Sequence, residues 1–180
     1  ANRRNNEAIS TRIRVPDRLI CLDDRIQGKY CQNLATDIGD FTLLRRDGLY
    51  SYHLAVTVDD AWQNITHSVR GVDLLDSTPR QLYLQELLDL PAPAYAHLPV
   101  AINHNGQKLS KQSRAAPLSR QHAGRQLWQA LRFLGQEPPD ELKTGSPAEL
   151  WIWAGKHWSM NRVPRVDGIE VPETPLDASG

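Results

Sequence analysis

Alternating and periodic apolar residues predict short strands first and longer helices later in the chain. Residues 11–15 alternate between polar and apolar positions, which predicts a half-buried strand. Two β-rich runs, 41–46 and 49–58, flank Asp47-Gly48, and both turn residues tolerate a positive φ. This arrangement predicts a hairpin, and we expect its second arm to end as a buried strand over 53–58.

Strand and helix signals continue to alternate after this hairpin. Short strands are predicted over 65–70 and 98–102. Between them a helix is predicted to begin at Thr78, because a threonine can cap the helix and Pro79 suits its first turn.

Helical signals dominate the last third of the chain. The stretch 121–134 is amphipathic, and Gly135 is placed to end that helix. Ser146 and Glu149 form a capping box that predicts a final helix running to about Trp158. Strands alternating with helices and then helices alone predict an α/β half-domain followed by a helical appendage.

Composition and charge narrow the class of protein. The chain has 180 residues, with 21 basic and 21 acidic side chains, so no overall charge calls for a polyanionic partner. No apolar run approaches the ~20 residues of a membrane span. Cys21 and Cys31 are too few for a disulfide framework or a four-cysteine zinc site. These bounds predict a soluble cytoplasmic protein, and a chain beginning with Ala1 suggests a fragment or a processed product.

Charge is unevenly distributed along the chain. The window from Leu90 to Gln136 contains no acidic residue but holds several lysines and arginines. Such a stretch can mark a phosphate-binding region, or it can be an ordinary solvated basic face. Within it, Lys108 and Lys111 flank a serine in a loop that contains a glycine. Two ammonium groups there could neutralise a triphosphate, although a basic surface loop has the same composition.

Two further groups carry candidate chemistry. Arg70, at the end of a predicted strand, could bind a carboxylate with its guanidinium fork, or form a surface salt bridge. Asp59 and Asp60 could bind a metal or act as acid and base, or could cap the next turn.

Several motifs that occur in order along the chain resemble one enzyme family. The motifs are Gly39-Asp40-Phe41, Tyr52 to Asp60, Ile65 to Asp73, Thr78 to Gln81, His97-Leu98-Pro99 and Lys108 to Lys111. This series resembles the second half of the catalytic domain of glutamyl-tRNA synthetases, which are class I aminoacyl-tRNA synthetases. Gln112 and the short segment after it are similar to the truncated glutamyl-Q tRNA(Asp) synthetase family.

The resemblance implies an activity and a set of site residues. Members of that family activate L-glutamate with ATP and Mg²⁺ and esterify it to queuosine in the anticodon of tRNA(Asp). By position, Tyr52 and Arg70 would bind glutamate. Lys111 would contact ATP and stabilise the transition state, with Lys108 as a second catalytic lysine. His53 stands where relatives often carry asparagine and receives no role, nor do Asp59 and Asp60, and no metal ligand is assigned.

The resemblance also implies a domain organisation. Residues 1–112 would be the C-terminal half of a Rossmann-type catalytic domain, 113–165 the helical appendage, and 166–180 a disordered tail. The family's first half, which holds a His-Ile-Gly-His-like signature and in many members a zinc site, has no match here. We therefore expect a C-terminal portion that is inactive alone, with zinc only in the missing half, and a complete enzyme that is monomeric and has no membrane partner.

Two alternatives remain open from the residues alone. The chain could be part of a glutamyl-tRNA synthetase that charges the 3′ end of tRNA. It could also be a non-catalytic tRNA-binding module that keeps the basic loop.

Overall fold

The computed structural model describes residues 9–109 and 118–171. Contacts divide the chain into two units. The first comprises Ala1–Arg70 and Leu74–Ala96, and the second comprises Gly71–Asp73 and His97–Gly180. This division differs from the predicted boundary at residue 112, which stays a prediction about the family's domains.

Two antiparallel strand pairs build much of the first unit. Strand β1 (Thr11–Ile13) pairs with β4 (Phe41–Leu44), and β2 (Leu19–Asp24) pairs with β3 (Gly28–Asn33). Side chains along β2 are alternately exposed and buried, as expected for a strand with one face on the core. The Asp24 carboxylate closes the β2–β3 turn by accepting two backbone N–H bonds.

Cys21 and Cys31 face each other across the β2–β3 pair and form a disulfide. Two cysteines are too few for a disulfide framework, and their sequence positions do not predict this single bond. The bond depends on the strand register, which places the two residues directly opposite each other. The spacing of two cysteines along a sequence does not reveal that register.

The described part of the first unit contains three α-helices: α1 (Leu34–Asp37), α2 (Tyr52–Trp62) and α3 (Thr78–Leu87). The predicted strand over 53–58 is therefore wrong, because this segment lies inside α2. The Ser51 hydroxyl caps α2 by accepting a bond from the Leu54 N–H. A helix here places Leu54 against the core, and this packing outweighs the β-propensity of the Val-Thr-Val run.

The core of the first unit joins strands and helices. Its buried members are Ile20, Leu34, Phe41, Tyr83 and Leu84. The turn at Asp47-Gly48 forms as predicted, with Gly48 at φ 81°. Only a single bridge, between Leu44 and Tyr50, follows it before α2 begins, so the hairpin's second arm is much shorter than expected.

Strands β5 (His67–Gly71) and β6 (Ala94–Leu98) pair with each other. The predicted strand over 65–70 is thus confirmed with a small shift. The predicted strand over 98–102 is divided at Pro99, because β6 ends at Leu98 and a separate strand, β7 (Val100–Ile102), begins at Val100. Proline has no N–H to donate to a ladder, which explains the division.

Helices α4 (Ala123–Phe133) and α5 (Pro147–His157) pack together in the second unit. Gly135 follows α4 with φ 70°, and the predicted capping box between Ser146 and Glu149 is present at the start of α5. The buried side chains of this helix pair are Trp128, Leu131, Leu150 and Ala154.

A parallel strand pair completes the second unit. Strand β7 (Val100–Ile102) pairs with β8 (Gly168–Glu170). The expectation of a disordered tail from residue 166 is therefore wrong for 168–170, which gain backbone hydrogen bonds from a strand far away in sequence. The rest of the predicted tail, 172–180, lies outside the described residues.

Candidate functional site

Arg70, at the end of β5, is anchored to helix α3. Its Nη2 donates to the Thr78 hydroxyl at 2.7 Å and to the Gln81 side-chain oxygen at 2.8 Å. Its guanidinium carbon lies 5.1 Å from the ring centroid of Tyr95 on β6, within cation–π range. Three elements thus hold a partly buried positive charge, which is a suitable anchor for a carboxylate.

Tyr95 connects Arg70 to the other predicted substrate-binding residue, Tyr52. Tyr95 is buried, and its hydroxyl accepts a bond from the Gln85 amide at 3.2 Å. Burial is the largest influence on the pKa of Tyr95 and raises it. The hydrogen bond from Gln85 and the charge of Arg70 lower this pKa, whereas the nearby Tyr52 raises it. Tyr52, in the first turn of α2, is 52% exposed. Around Tyr95 the structure therefore brings together Tyr52 and Arg70.

His53 lies beside this group as a neutral ring. It makes edge-to-face contacts with Phe41 at 6.1 Å and with Tyr52 at 5.5 Å between centroids. Burial, and then the charge of Arg80, lower the pKa of His53 to about 4, with a smaller opposing effect from Asp76. Its Nδ1 is buried and has no hydrogen-bond partner in the part of the chain that the structure describes. At neutral pH this imidazole carries no charge that could compete with Arg70 for a carboxylate.

The acidic pair lies in the last part of α2 and not at the end of a strand. Asp59 is exposed and Asp60 is half-buried. Burial raises the pKa of the Asp60 carboxyl, although the charge of Arg70 acts to lower it. Among residues 9–109 and 118–171, no cluster of three or more histidine, cysteine or acidic side chains could hold a metal ion.

Lys108 belongs to the second unit, at the end of a tight turn. The Asn103 carboxamide oxygen accepts bonds from the backbone N–H groups of Asn105 and Gln107, and Gly106 adopts φ 74°. The Lys108 ammonium lies 2.6 Å from the Asp73 carboxylate, and both side chains are substantially exposed. Because exposed ion pairs are worth little, a triphosphate could displace this carboxylate.

Lys111, the predicted ATP-contacting lysine, lies outside the described residues. Its role stays a prediction. No helix in the described part of the chain is both long and apolar enough to cross a membrane.

Three contributors to the site, Gln81, Gln85 and Tyr95, receive no role from the sequence. Thr78 is predicted only as a helix cap, whereas its hydroxyl donates to the Leu74 carbonyl and accepts from Arg70. The i, i+4 spacing of Gln81 and Gln85 places them on one face of α3. Polar residues at that spacing within a leucine-containing helix were the signal that could have revealed a buried polar face.

Comparisons with known proteins identify the family. The family described as tRNA synthetases class I (E and Q), catalytic domain, matches residues 1–133. The chain belongs to this family. Its resemblance to class I synthetases, predicted from the motifs, is therefore confirmed.

Several similar proteins carry the same name. The chain is 54% identical over 154 residues to a protein named glutamyl-Q tRNA(Asp) synthetase from Ectopseudomonas mendocina, covering 86% of this chain and 52% of that protein. It is 56% identical over 153 residues to a protein of the same name from Thiobacillus denitrificans, covering 85% and 51%. The chain thus spans about half the length of the curated relatives it matches.

Solved structures of the family share the fold. A glutamate-tRNA synthetase from Elizabethkingia anophelis matches with a TM-score of 0.65 at 28% identity, covering 87% of this chain and 35% of that chain. A glutamate tRNA ligase from Elizabethkingia meningosepticum, solved in complex with its amino acid, matches with a TM-score of 0.67 at 28% identity, covering 88% and 35%. These matches confirm the predicted α/β class I synthetase fold.

Proposed function

We propose that this chain is part of an enzyme that activates L-glutamate with ATP and transfers it to queuosine in the anticodon of tRNA(Asp). A glutamate carboxylate oxygen would attack the α-phosphorus of ATP, and pyrophosphate would leave. A hydroxyl of the nucleoside would then attack the carbonyl carbon of the glutamyl-adenylate, and AMP would leave. The complete enzyme would act as a monomer.

The observation that carries this proposal is the 52–56% identity to proteins named glutamyl-Q tRNA(Asp) synthetase. The anchored Arg70 is an independent support, since a partly buried guanidinium suits an acidic amino acid. In this proposal Arg70 and Tyr52 bind glutamate, one by charge and the other through its exposed hydroxyl.

ATP would be bound by the lysine-containing loop. Lys108 and Lys111 would neutralise the phosphates, and Lys111 would stabilise the charge that develops at the α-phosphorus. Mg²⁺ would enter with ATP, because phosphate oxygens and water are its preferred ligands. The basic character of the window that contains this loop supports the assignment.

The decisive experiment concerns the acceptor. The complete gene product that contains this chain is incubated with ATP, labelled glutamate and one of two tRNA(Asp) substrates. The first contains queuosine but lacks its 3′-terminal adenosine, and the second is intact but lacks queuosine. Labelling of the first alone is expected, because the queuosine hydroxyl and not the 3′ end would accept glutamate.

Each other outcome contradicts the proposal. Labelling of the second substrate alone would make the protein a glutamyl-tRNA synthetase, an alternative favoured by the solved structures that it resembles. Failure to label either, together with retained tRNA binding, would indicate the non-catalytic module.

The role of Arg70 has its own test. Replacing it with alanine would leave a bound carboxylate without its charged partner, so glutamate binding should weaken by about 2–5 kcal/mol. The measurement is the KM for glutamate in ATP–pyrophosphate exchange by the complete gene product. Arg45→Ala is the matched control, since Arg45 pairs with Asp47 on the exposed hairpin turn. An unchanged KM in the Arg70 variant would return Arg70 to a structural role.

A further inference from the structure

The geometry around Arg70 leaves little freedom at one end of its guanidinium. A guanidinium Nη atom carries two N–H hydrogens. Nη2 of Arg70 meets two acceptors, the Thr78 hydroxyl at 2.7 Å and the Gln81 oxygen at 2.8 Å. Each acceptor therefore takes one hydrogen, and helix α3 holds this nitrogen at two points.

The available donors and acceptors determine how Thr78 and Gln81 face Arg70. The Thr78 hydroxyl donates its single hydrogen to the Leu74 carbonyl at 3.2 Å, so only a lone pair remains for Arg70. Gln81 must turn its oxygen toward Arg70, because a guanidinium has no acceptor atom. Thr78 is fully buried and Gln81 is 2% exposed, so water does not compete for either contact.

Turning the Gln81 oxygen toward Arg70 has a free-energy cost at the other end of the amide. With its oxygen bound to Arg70, the Gln81 amide nitrogen is a buried donor that finds no hydrogen-bond partner among residues 9–109 and 118–171. Buried donors are rarely left unsatisfied, because their loss of hydration is then uncompensated. An apolar side chain such as methionine would fill similar space without that cost. A glutamine here is therefore better explained by what its oxygen does for Arg70.

We propose that Gln81 is a positioning residue that sets the orientation of the Arg70 guanidinium for the substrate carboxylate. Gln81 and Thr78 hold one end of the group, and the Tyr95 ring supports its face at 5.1 Å. This inference rests on the proposed function, in which Arg70 binds glutamate.

The test compares the same substitution at two buried glutamines of the first unit in the complete gene product. Gln81→Met removes the acceptor and keeps the side-chain length. Gln32→Met is the control, since Gln32 is 8% exposed on β3 and its side-chain oxygen has no hydrogen-bond partner among the described residues. In ATP–pyrophosphate exchange, Gln81→Met should raise the KM for glutamate about tenfold, the effect of losing one hydrogen bond to a charged group. The KM for ATP and the kcat should change less than about threefold.

A second variant separates positioning from packing. Gln81→Glu keeps an acceptor for Arg70, but its negative charge competes with the substrate carboxylate for the guanidinium. It should therefore raise the KM for glutamate more than Gln81→Met does, by about 100-fold. A purely structural role would lower the melting temperature of both variants and leave their KM values near wild type. Should Gln81→Met fail to fold, Gln81→Asn replaces it, because its side chain is one methylene too short to reach Arg70. It should raise the KM for glutamate by the same factor as is expected of Gln81→Met.

The outcomes distinguish this inference from the proposed function. If Arg70→Ala raises the KM for glutamate but Gln81→Met leaves it within about twofold of wild type, the positioning role is overturned and the proposed function stands. If Arg70→Ala itself leaves the KM unchanged, the glutamate-binding role of Arg70 fails first. A KM that rises equally in Gln32→Met also overturns the positioning role, since the effect would then be a general loss of core polarity.

Discussion

Protonation of His53 should couple acidification to unfolding of the first unit. Burial, followed by the charge of Arg80, lowers the pKa of His53 from 6.5 to about 4 in the folded chain. In the unfolded chain the imidazole keeps its ordinary pKa near 6.5. The unfolded state therefore binds this proton more tightly, and the stabilisation is complete above pH 6.5 and declines as the pH falls toward 4.

The magnitude follows from the two pKa values. At about 1.4 kcal/mol per pKa unit, the difference between 6.5 and about 4 sets an upper bound of about 3 kcal/mol, and solvent screening of the partly exposed ring reduces the loss to about 2 kcal/mol. That loss is a large share of the ~5–15 kcal/mol that stabilises a typical domain. Asp60 acts in the opposite direction, because burial raises its pKa and its protonation therefore favours the folded state as the pH falls.

The measurement compares wild type with His53→Asn, whose amide does not titrate in this range. Urea unfolding is followed by circular dichroism in steps between pH ~7.5 and ~4. The signal contains the helices of both units, and the comparison with the variant isolates the contribution of His53. Trp62 is 81% exposed and would be a poor fluorescent reporter of the first unit. The variant loses the ring contacts with Phe41 and Tyr52 at every pH, so only the pH-dependent part of the difference is informative.

We expect wild type to lose about 2 kcal/mol more than the variant over this range. Contributions from other groups, including Asp60, cancel in the comparison. Parallel stability profiles for the two proteins would refute the reasoning. An NMR titration of the His53 ring with a pKa near 6.5 would refute it as well, because burial would then impose no penalty on the charged form.

Three further predictions concern the second unit, the disulfide and the lysine loop. Gly135→Ala should destabilise the chain by about 2–4 kcal/mol in urea unfolding, because φ is 70° and a Cβ would lie 2.3 Å from a backbone carbonyl oxygen. Gly155→Ala, in open space on α5, should be neutral or stabilising, and equal effects at the two glycines would contradict the backbone argument. Reduction of the Cys21–Cys31 bond should lower the free energy of unfolding by about 2–3 kcal/mol, given the ten-residue separation, and a Cys→Ser double variant should no longer respond to reductant. Lys111→Ala in the complete gene product should slow adenylate formation by roughly 10²–10³-fold with little change in glutamate affinity, and an unchanged rate would remove Lys111 from the site.

Features set by neighbouring residues could be predicted from the sequence. The capping box between Ser146 and Glu149 and the end of α4 at Gly135 occur where local chemistry places them. Each depends on a few adjacent residues whose backbone preferences are strong. The ordered motifs likewise identified the family, because they combine many positions along the chain.

The assignment of 53–58 to a strand failed because its β-branched residues prefer strands only where a pleated surface receives them. Here Thr57 is buried and Leu54 packs against the core one turn away, an arrangement that only a helix provides. The sequence contained the helical spacing of these two residues. Nothing local decided between that spacing and the β-propensity.

The sequence by itself determined which groups carry the candidate chemistry, since Arg70 and Tyr52 could be selected from their motifs. Only the tertiary structure decided what surrounds them. The partners of Arg70 come from α3 and β6, up to 25 residues away in sequence. They contact Arg70 only because the folded backbone brings α3 and β6 close to the end of β5. A hydrogen bond or a ring contact requires placement within about an ångström, whereas a sequence pattern specifies only which face of an element a side chain occupies.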